Sequence, residues 1–203
     1  MKIYDISQEV FSCSVYPGDP APQKEILCSM NGGDLYNLTA FFMCAHNGTH
    51  IDAPAHFLKE GETVERLPLH KTVGYAFVAE HSGVLDAQDA GRILRQAREQ
   101  DPEAAKRILI KGDAILSEEG ARVFADAQID LFGNESQTVG PPDAPMAVHL
   151  IMLRAGVVLL EGVRLEEVRE GAYLLCAQPL CLAGAEGAPC RALLIDQTDV
   201  YGA

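Results

Sequence analysis

The sequence predicts an α/β protein built on one mixed sheet. Two patterns and one bulk property carry that expectation. Strand-like and helix-like segments alternate through the second half of the chain, while the first half is rich in strands and turns, which favours antiparallel pairing there. At 203 residues, with 48% apolar and 22% charged content, the chain is long enough for one well-buried core, and a single domain over 1–203 is expected.

Lys2 to Ser7 alternates apolar and polar residues and reads as a strand. Tyr16 to Pro22 holds three prolines and a glycine, and so reads as a stiff loop. Tyr16 at its start either presents a ring to a pocket or packs the loop onto the core. Leu38 to Ala45 is mostly apolar and predicts a buried strand. Thr72 to Glu80 is a strand rich in β-branched and aromatic residues. Ala90, Ile93, Leu94 and Ala97 mark one helix face within 86–100, and Pro102 follows its end. Arg107 to Lys111 is a short buried strand. Ser117, followed by two acids, caps a helix running to about Ala127. Ile129 to Phe132 is a further strand, and Gly133 to Asp143 a turn-rich loop. A helix with Pro145 in its first turn stops at Gly156. Val157 to Leu160 is a buried strand ending on Glu161-Gly162, and strands over 173–177 and 192–195 complete the pattern.

The net charge of −13 argues against a phosphate-neutralising surface for nucleic acid. The N-terminus shows no signal-peptide core, and no apolar run reaches membrane-spanning length. The six cysteines contain no Cys-x-x-Cys pair, so neither a zinc knuckle nor a disulfide scaffold is indicated, and a reducing, cytoplasmic setting is expected. Cys44 fits the role of a small buried residue better than that of a soft ligand.

The chemistry concentrates between His46 and His56, where three of the six histidines and Asp52 lie together. Imidazole and carboxylate are ligands for zinc, manganese or iron, and three of them leave room for a reactive water. Positions 46, 50, 52 and 56 would share one face of an extended chain, with His50 and Asp52 about 6.6 Å apart. His46 would then lie about 13 Å from His50. A shared ion therefore requires the backbone to fold back at Asn47-Gly48. The competing reading is a loop of separately hydrogen-bonded histidines. Taken alone, His149 reads as a packing residue beside Leu150 and Ile151, and Glu161 as a cap or as an active-site group at a strand end. His70 and His81 carry no motif.

The pattern His46-x-Gly48-Thr49-His50-x-Asp52-x-Pro54-x-His56 resembles the signature of the cyclase superfamily, which contains bacterial kynurenine formamidases and isatin hydrolases. His149 with Glu161-Gly162 is similar to a second part of that pattern. The tail Pro179-Leu180-x-Leu182-x-Gly184, followed by Gly187, Pro189 and Arg191-Ala192, is similar to a third. The resemblance implies a swivelling β/β/α fold and a homodimer or homotetramer, with some sites completed by a neighbouring subunit. It implies that His46, His50 and Asp52 hold one divalent ion, Zn2+ before Mn2+. Asp52 would bridge to a second ion held by His149 and Glu161, and His56 would be a catalytic acid/base.

The expected reaction is hydrolysis of a C–N bond in a small amide. An aryl formamide such as N-formylkynurenine is the first substrate expected, with a cyclic amide of the isatin type second. A non-catalytic metal- or ligand-binding module is the reading from another class, and retention of His56 speaks against it. Two departures concern the pocket: Tyr16 stands where the formamidases carry a Trp, and Gln137-Thr138-Val139-Gly140 lacks an acidic residue that many of them have.

Overall fold

The computed structural model describes residues 1–196. In chain order the strands are β1 (Lys2–Asp5), β2 (Gln23–Cys28), β3 (Leu38–Phe42), β4 (His50–Asp52), β5 (Val73–Glu80), β6 (Gly83–Leu85), β7 (Arg107–Lys111), β8 (Ala114–Leu116), β9 (Leu131–Asn134), β10 (Val158–Glu161), β11 (Gly171–Cys176), β12 (Gly187–Pro189) and β13 (Leu193–Asp196). The helices are α1 (Ala87–Gln100), α2 (Glu118–Asp126) and α3 (Met146–Arg154).

Nine strands form one mixed sheet in the order β1-β13-β11-β5-β7-β9-β10-β4-β12. Its centre, β5-β7-β9-β10, is parallel, as expected where helical crossovers link successive strands. Both flanks are antiparallel. The parallel strands bury both faces. Phe77, Ile108, Ile110, Phe132 and Leu159 meet the helices, while Val78, Leu109, Leu131, Val158 and Leu160 fill the opposite core. Such strands read as continuous apolar runs because neither face is left to solvent.

The helix limits follow their caps. Asp86 accepts from the backbone N–H of Gln88 and Asp89 at 2.8 and 3.0 Å, and Ser117 accepts from Gly120 at 3.1 Å. Each cap satisfies donors that the first turn leaves open, worth about 1 kcal/mol. Gly156 takes φ +76 just past α3, the left-handed stop its position in the sequence implies.

Three expectations need correction. Leu38 to Ala45 is not a buried strand: β3 pairs only with β2 in a separate hairpin, and Phe41 and Phe42 are exposed. The apolar content that signalled burial instead lies on a hairpin outside the main sheet, where Phe41 meets Phe11 edge-on with ring centroids 6.2 Å apart. Cys44 is partly exposed, not buried. The strand expected over Ile129 to Phe132 runs two residues later, because Leu131, Phe132 and Gly133 take the register with β10.

Candidate metal centre and active-site cleft

The site forms where β4 is inserted between β10 and β12. Antiparallel pairing sets His50 opposite Glu161 and Asp52 opposite Leu159, so the two carboxylates and His50 gather at the carboxyl end of β10. Open α/β sheets hold ligands at that end. The backbone does fold back before β4: Gly48 has φ +65, and a Cβ there would stand 2.8 Å from the Cys13 Cβ. The turn is tied by the Cys44 N–H donating to Asn47 Oδ1 at 2.8 Å and by the Gly48 N–H donating to the Ser14 carbonyl. It brings His46 Nδ1 to 2.8 Å from Asp52 Oδ1.

Gly162, on the far side of Glu161, is equally constrained. It has φ +69, and a Cβ there would collide with Gln137 and with the Gly48 carbonyl. Its own carbonyl accepts from Thr49 Oγ1 at 2.7 Å and Gln8 Nε2 at 2.8 Å. These bonds lock the strand ends that carry His50 and Glu161. The Gly48-Thr49 and Glu161-Gly162 pairs of the sequence are therefore two sides of one junction.

His50, Asp52, His149 and Glu161 are each no more than 3% exposed. The Nδ1 of His50 lies 2.9 Å from the Gly48 carbonyl, and that of His149 lies 2.9 Å from the Pro145 carbonyl. A carbonyl can only accept, so both Nδ1 atoms carry a proton and the two Nε2 atoms are left facing the cleft, each able to act as a ligand once it has lost its own proton. Metal-binding imidazoles are held this way by their outer partners. His149 Nε2 stands 3.1 Å from Glu161 Oε1 and 3.6 Å from Asp52 Oδ2. His50 Nε2 stands 3.4 Å from both Asp52 Oδ1 and Glu161 Oε2.

Two of these buried atoms, His50 Nε2 and Asp52 Oδ2, have no hydrogen-bond partner. Buried polar atoms seldom stay unpaired, and a ring nitrogen facing carboxylate oxygens is an arrangement that a cation, or in its absence a proton, completes. The donors fall into two overlapping triads, His46-His50-Asp52 and Asp52-His149-Glu161, each with ligand atoms within 4.8 Å of one another. Either triad could hold a divalent ion, with Asp52 common to both. Cys44 belongs to neither.

The protein alone compensates with protons. Burial works against charged imidazole, but the close carboxylates of Asp52 and Glu161 outweigh it and carry His50 and His149 up to about 10. Burial would likewise raise Asp52; contacts with His149, His46 and His50 instead hold it well below the usual carboxylate range. His56 differs. Burial lowers it, no hydrogen bond reaches its ring among the described residues, and it stacks on His46 with centroids 4.0 Å apart.

Above this floor lies a cleft of about 390 Å³ lined by Tyr16, Asp19, His46, His56, Phe57, Gln137, Thr138, Pro145, His149, Glu161 and Glu186. All six expected site residues other than Tyr16 thus meet around one point, and Tyr16 stands at the edge, its hydroxyl donating to the Pro142 carbonyl at 2.9 Å. Sequence reasoning passed over Glu186, whose Oε1 is 3.3 Å from His46 Nε2. The only signal was its place between Gly184 and Gly187 of the tail pattern. It also passed over the Val139 N–H, which donates to Glu161 Oε1 at 2.9 Å.

Known proteins resemble the chain over nearly its whole length. The kynurenine formamidase of Salinibacter ruber is 33% identical, over 98% of this chain and all of that protein. The kynurenine formamidase of Bacillus cytotoxicus is 31% identical, over 94% of this chain and 95% of its own. A solved structure described as a predicted metal-dependent hydrolase from Bacillus stearothermophilus superposes with a TM-score of 0.78 at 28% identity, covering 95% of this chain and 97% of that one. An isatin hydrolase bound to thioisatinate shares the fold, with a TM-score of 0.81 at 15% identity, covering 95% of this chain and 91% of its own. The family model described as "Putative cyclase" matches residues 4–160, and the chain belongs to the cyclase family.

Proposed function

We propose that this chain, acting as one catalytic domain over 1–203, is a metal-dependent hydrolase of a C–N bond in a small amide, with aryl formamides such as N-formylkynurenine as its first candidate substrates. The observation that carries the reading is the pair of triads sharing Asp52, buried but for the half-buried His46, with unpaired His50 Nε2 and Asp52 Oδ2 between them. The formamidase relatives supply the reaction class.

His46, His50 and Asp52 would hold one divalent ion, Zn2+ before Mn2+, and Asp52, His149 and Glu161 a second. Bound there, the metal supplies Lewis acidity and a water of lowered pKa. The chain's own part is positioning and proton movement. The Gly48 and Pro145 carbonyls fix the imidazole tautomers, and the Val139 N–H holds Glu161. His56, unprotonated near neutral pH, is free to take a proton at a ring nitrogen and deliver it to the departing amine. Phe57 and Tyr16 offer the aromatic wall an aryl amide needs.

The hairpin supports assembly. Ile26, Leu35, Phe41 and Phe42 are all at least half exposed, more apolar surface than a lone two-stranded arm keeps in water. A homodimer or homotetramer covering it is part of the proposal, as is a cytoplasmic setting for a chain whose six cysteines are all free. No described helix is long and apolar enough to cross a membrane.

The test is a hydrolysis screen of chelated and metal-reconstituted protein with an aryl formamide and an isatin-like lactam. Turnover of the formamide that chelation abolishes supports the reading. Turnover of the lactam alone moves the substrate to the cyclic class, and no turnover with zinc, manganese or cobalt rejects it.

A further inference from the structure

Resting on the metal-centre part of the reading above, and not on the substrate, we propose that Glu186 is a positioning residue. Its carboxylate holds the His46 ring so that His46 binds its ion through Nδ1, while His50 and His149 bind theirs through Nε2. The three imidazoles are not held alike. His50 and His149 each turn Nδ1 to a backbone carbonyl, of Gly48 and of Pro145, and Nε2 to the carboxylates of the floor. His46 is reversed. Its Nδ1 stands 2.8 Å from Asp52 Oδ1, and its Nε2 stands 3.3 Å from Glu186 Oε1.

Asp52 belongs to both triads, so the ring nitrogen turned to it is the one turned to the ion. The other nitrogen then carries the proton, and an ionised carboxylate can only accept it. A histidine ligand keeps its tautomer and its aim through such an outer partner. For His50 and His149 that partner is main chain, which no substitution removes. For His46 it is a side chain, and one substitution can take it away.

Sheet pairing holds Glu186 in place for this task. Its carbonyl accepts from the Ala53 N–H at 2.9 Å, and the next residue, Gly187, pairs with Asp52 across β12 and β4. A Cβ on Gly187 would stand 2.7 Å from His46 Cε1, the carbon between the two ring nitrogens. Bare backbone therefore packs against that edge of the ring, and His56 stacks on its face with centroids 4.0 Å apart. Packing restricts the ring, and the Glu186 carboxylate decides which nitrogen is left for the ion. Charge favours the same arrangement. Two divalent ions outweigh the floor carboxylates of Asp52 and Glu161, and a bound ion makes the His46 Nε2–H a stronger donor to a third carboxylate.

Two measurements on the full chain test this. Nitrogen NMR of the zinc-loaded protein, with its histidines isotope-labelled, should show His46 protonated at Nε2 and bound through Nδ1, and His50 and His149 the other way round. His46 bound through Nε2 overturns the proposal. Zinc affinity is then read by calorimetric competition with a chelator. Glu186→Ala should weaken one ion between about tenfold and a hundredfold without weakening the other. Glu186→Gln, which keeps an acceptor at the same reach, should lose less. Asp19→Asn removes another acid of the same cleft and should leave both affinities unchanged. Unaltered affinity in Glu186→Ala, equal weakening of both ions, or an equal loss in Asp19→Asn overturns the proposal and leaves the metal centre standing. A wild-type chain that binds no zinc rejects the metal-centre reading, and the role of Glu186 with it.

Discussion

At the floor of the cleft, four ligand-type side chains are almost wholly buried and held by backbone carbonyls, a backbone N–H and glycine-limited turns. At the rim, Tyr16, Asp19 and Glu186 stand on loops with open faces to solvent. The floor is a set of charges that are costly to bury without a partner, so few other residues could replace them. The rim is cheap to vary, and this chain departs from the formamidase pattern there, with Tyr16 in place of Trp. The contrast teaches that strand register fixes the positions of the ligand-type side chains, whereas loop composition decides what stands at the opening.

The largest effect should come from Asp52→Asn, which removes the group common to both triads. Metal content should fall to near zero and kcat/KM by about a thousandfold, measured by elemental analysis and a formamide assay. Next, His56→Ala should keep its metal yet lose between about a hundredfold and ten-thousandfold in turnover. Loss of metal in that variant would make His56 part of the floor and blur the distinction.

A third prediction concerns protons. His50 and His149 are raised to about 10 in the metal-free protein, so each is charged near neutral pH and must lose its proton to bind an ion. Metal addition should release about two protons, read by calorimetry in buffers of different ionisation enthalpy. The same shifts fix the sign of stability without metal. Raised histidines contribute fully below about 6.5, their unfolded value, and the contribution is lost as pH climbs towards 10. Chelated protein should therefore melt lower at pH 9 than at pH 6.5, whereas metal-loaded protein should not.

The smallest effect belongs to the rim. Tyr16→Phe removes one hydroxyl bond to Pro142, and KM should rise by no more than about fivefold with kcat unchanged. A large loss of kcat would place Tyr16 in the chemistry.

How much of this was legible in the sequence depended on whether the signal was local. The helix cap at Ser117, the strand over Arg107 to Lys111 and the turn at Gly48 all rest on residues within a few positions of one another, and all stand where the sequence placed them. The meeting of His149 and Glu161 with His50 and Asp52 is set by the pairing of β4 with β10 across more than a hundred residues. Only resemblance could join those segments, because periodicity says nothing about which strands pair. The hairpin misled for a related reason: Phe41 and Phe42 look like core when read along the chain, and whether a neighbouring layer covers them is a tertiary fact. Glu186 was missed because a lone acid in a glycine-rich loop has a solvated surface as its ordinary role.

Crystals grown with the activating metal and measured by anomalous scattering would test the central claim most directly. We predict one peak bounded by His46, His50 and Asp52, and a second bounded by Asp52, His149 and Glu161, with the His56 ring outside both coordination spheres. An absence of peaks between these side chains, or a peak ligated by His56, would contradict the account.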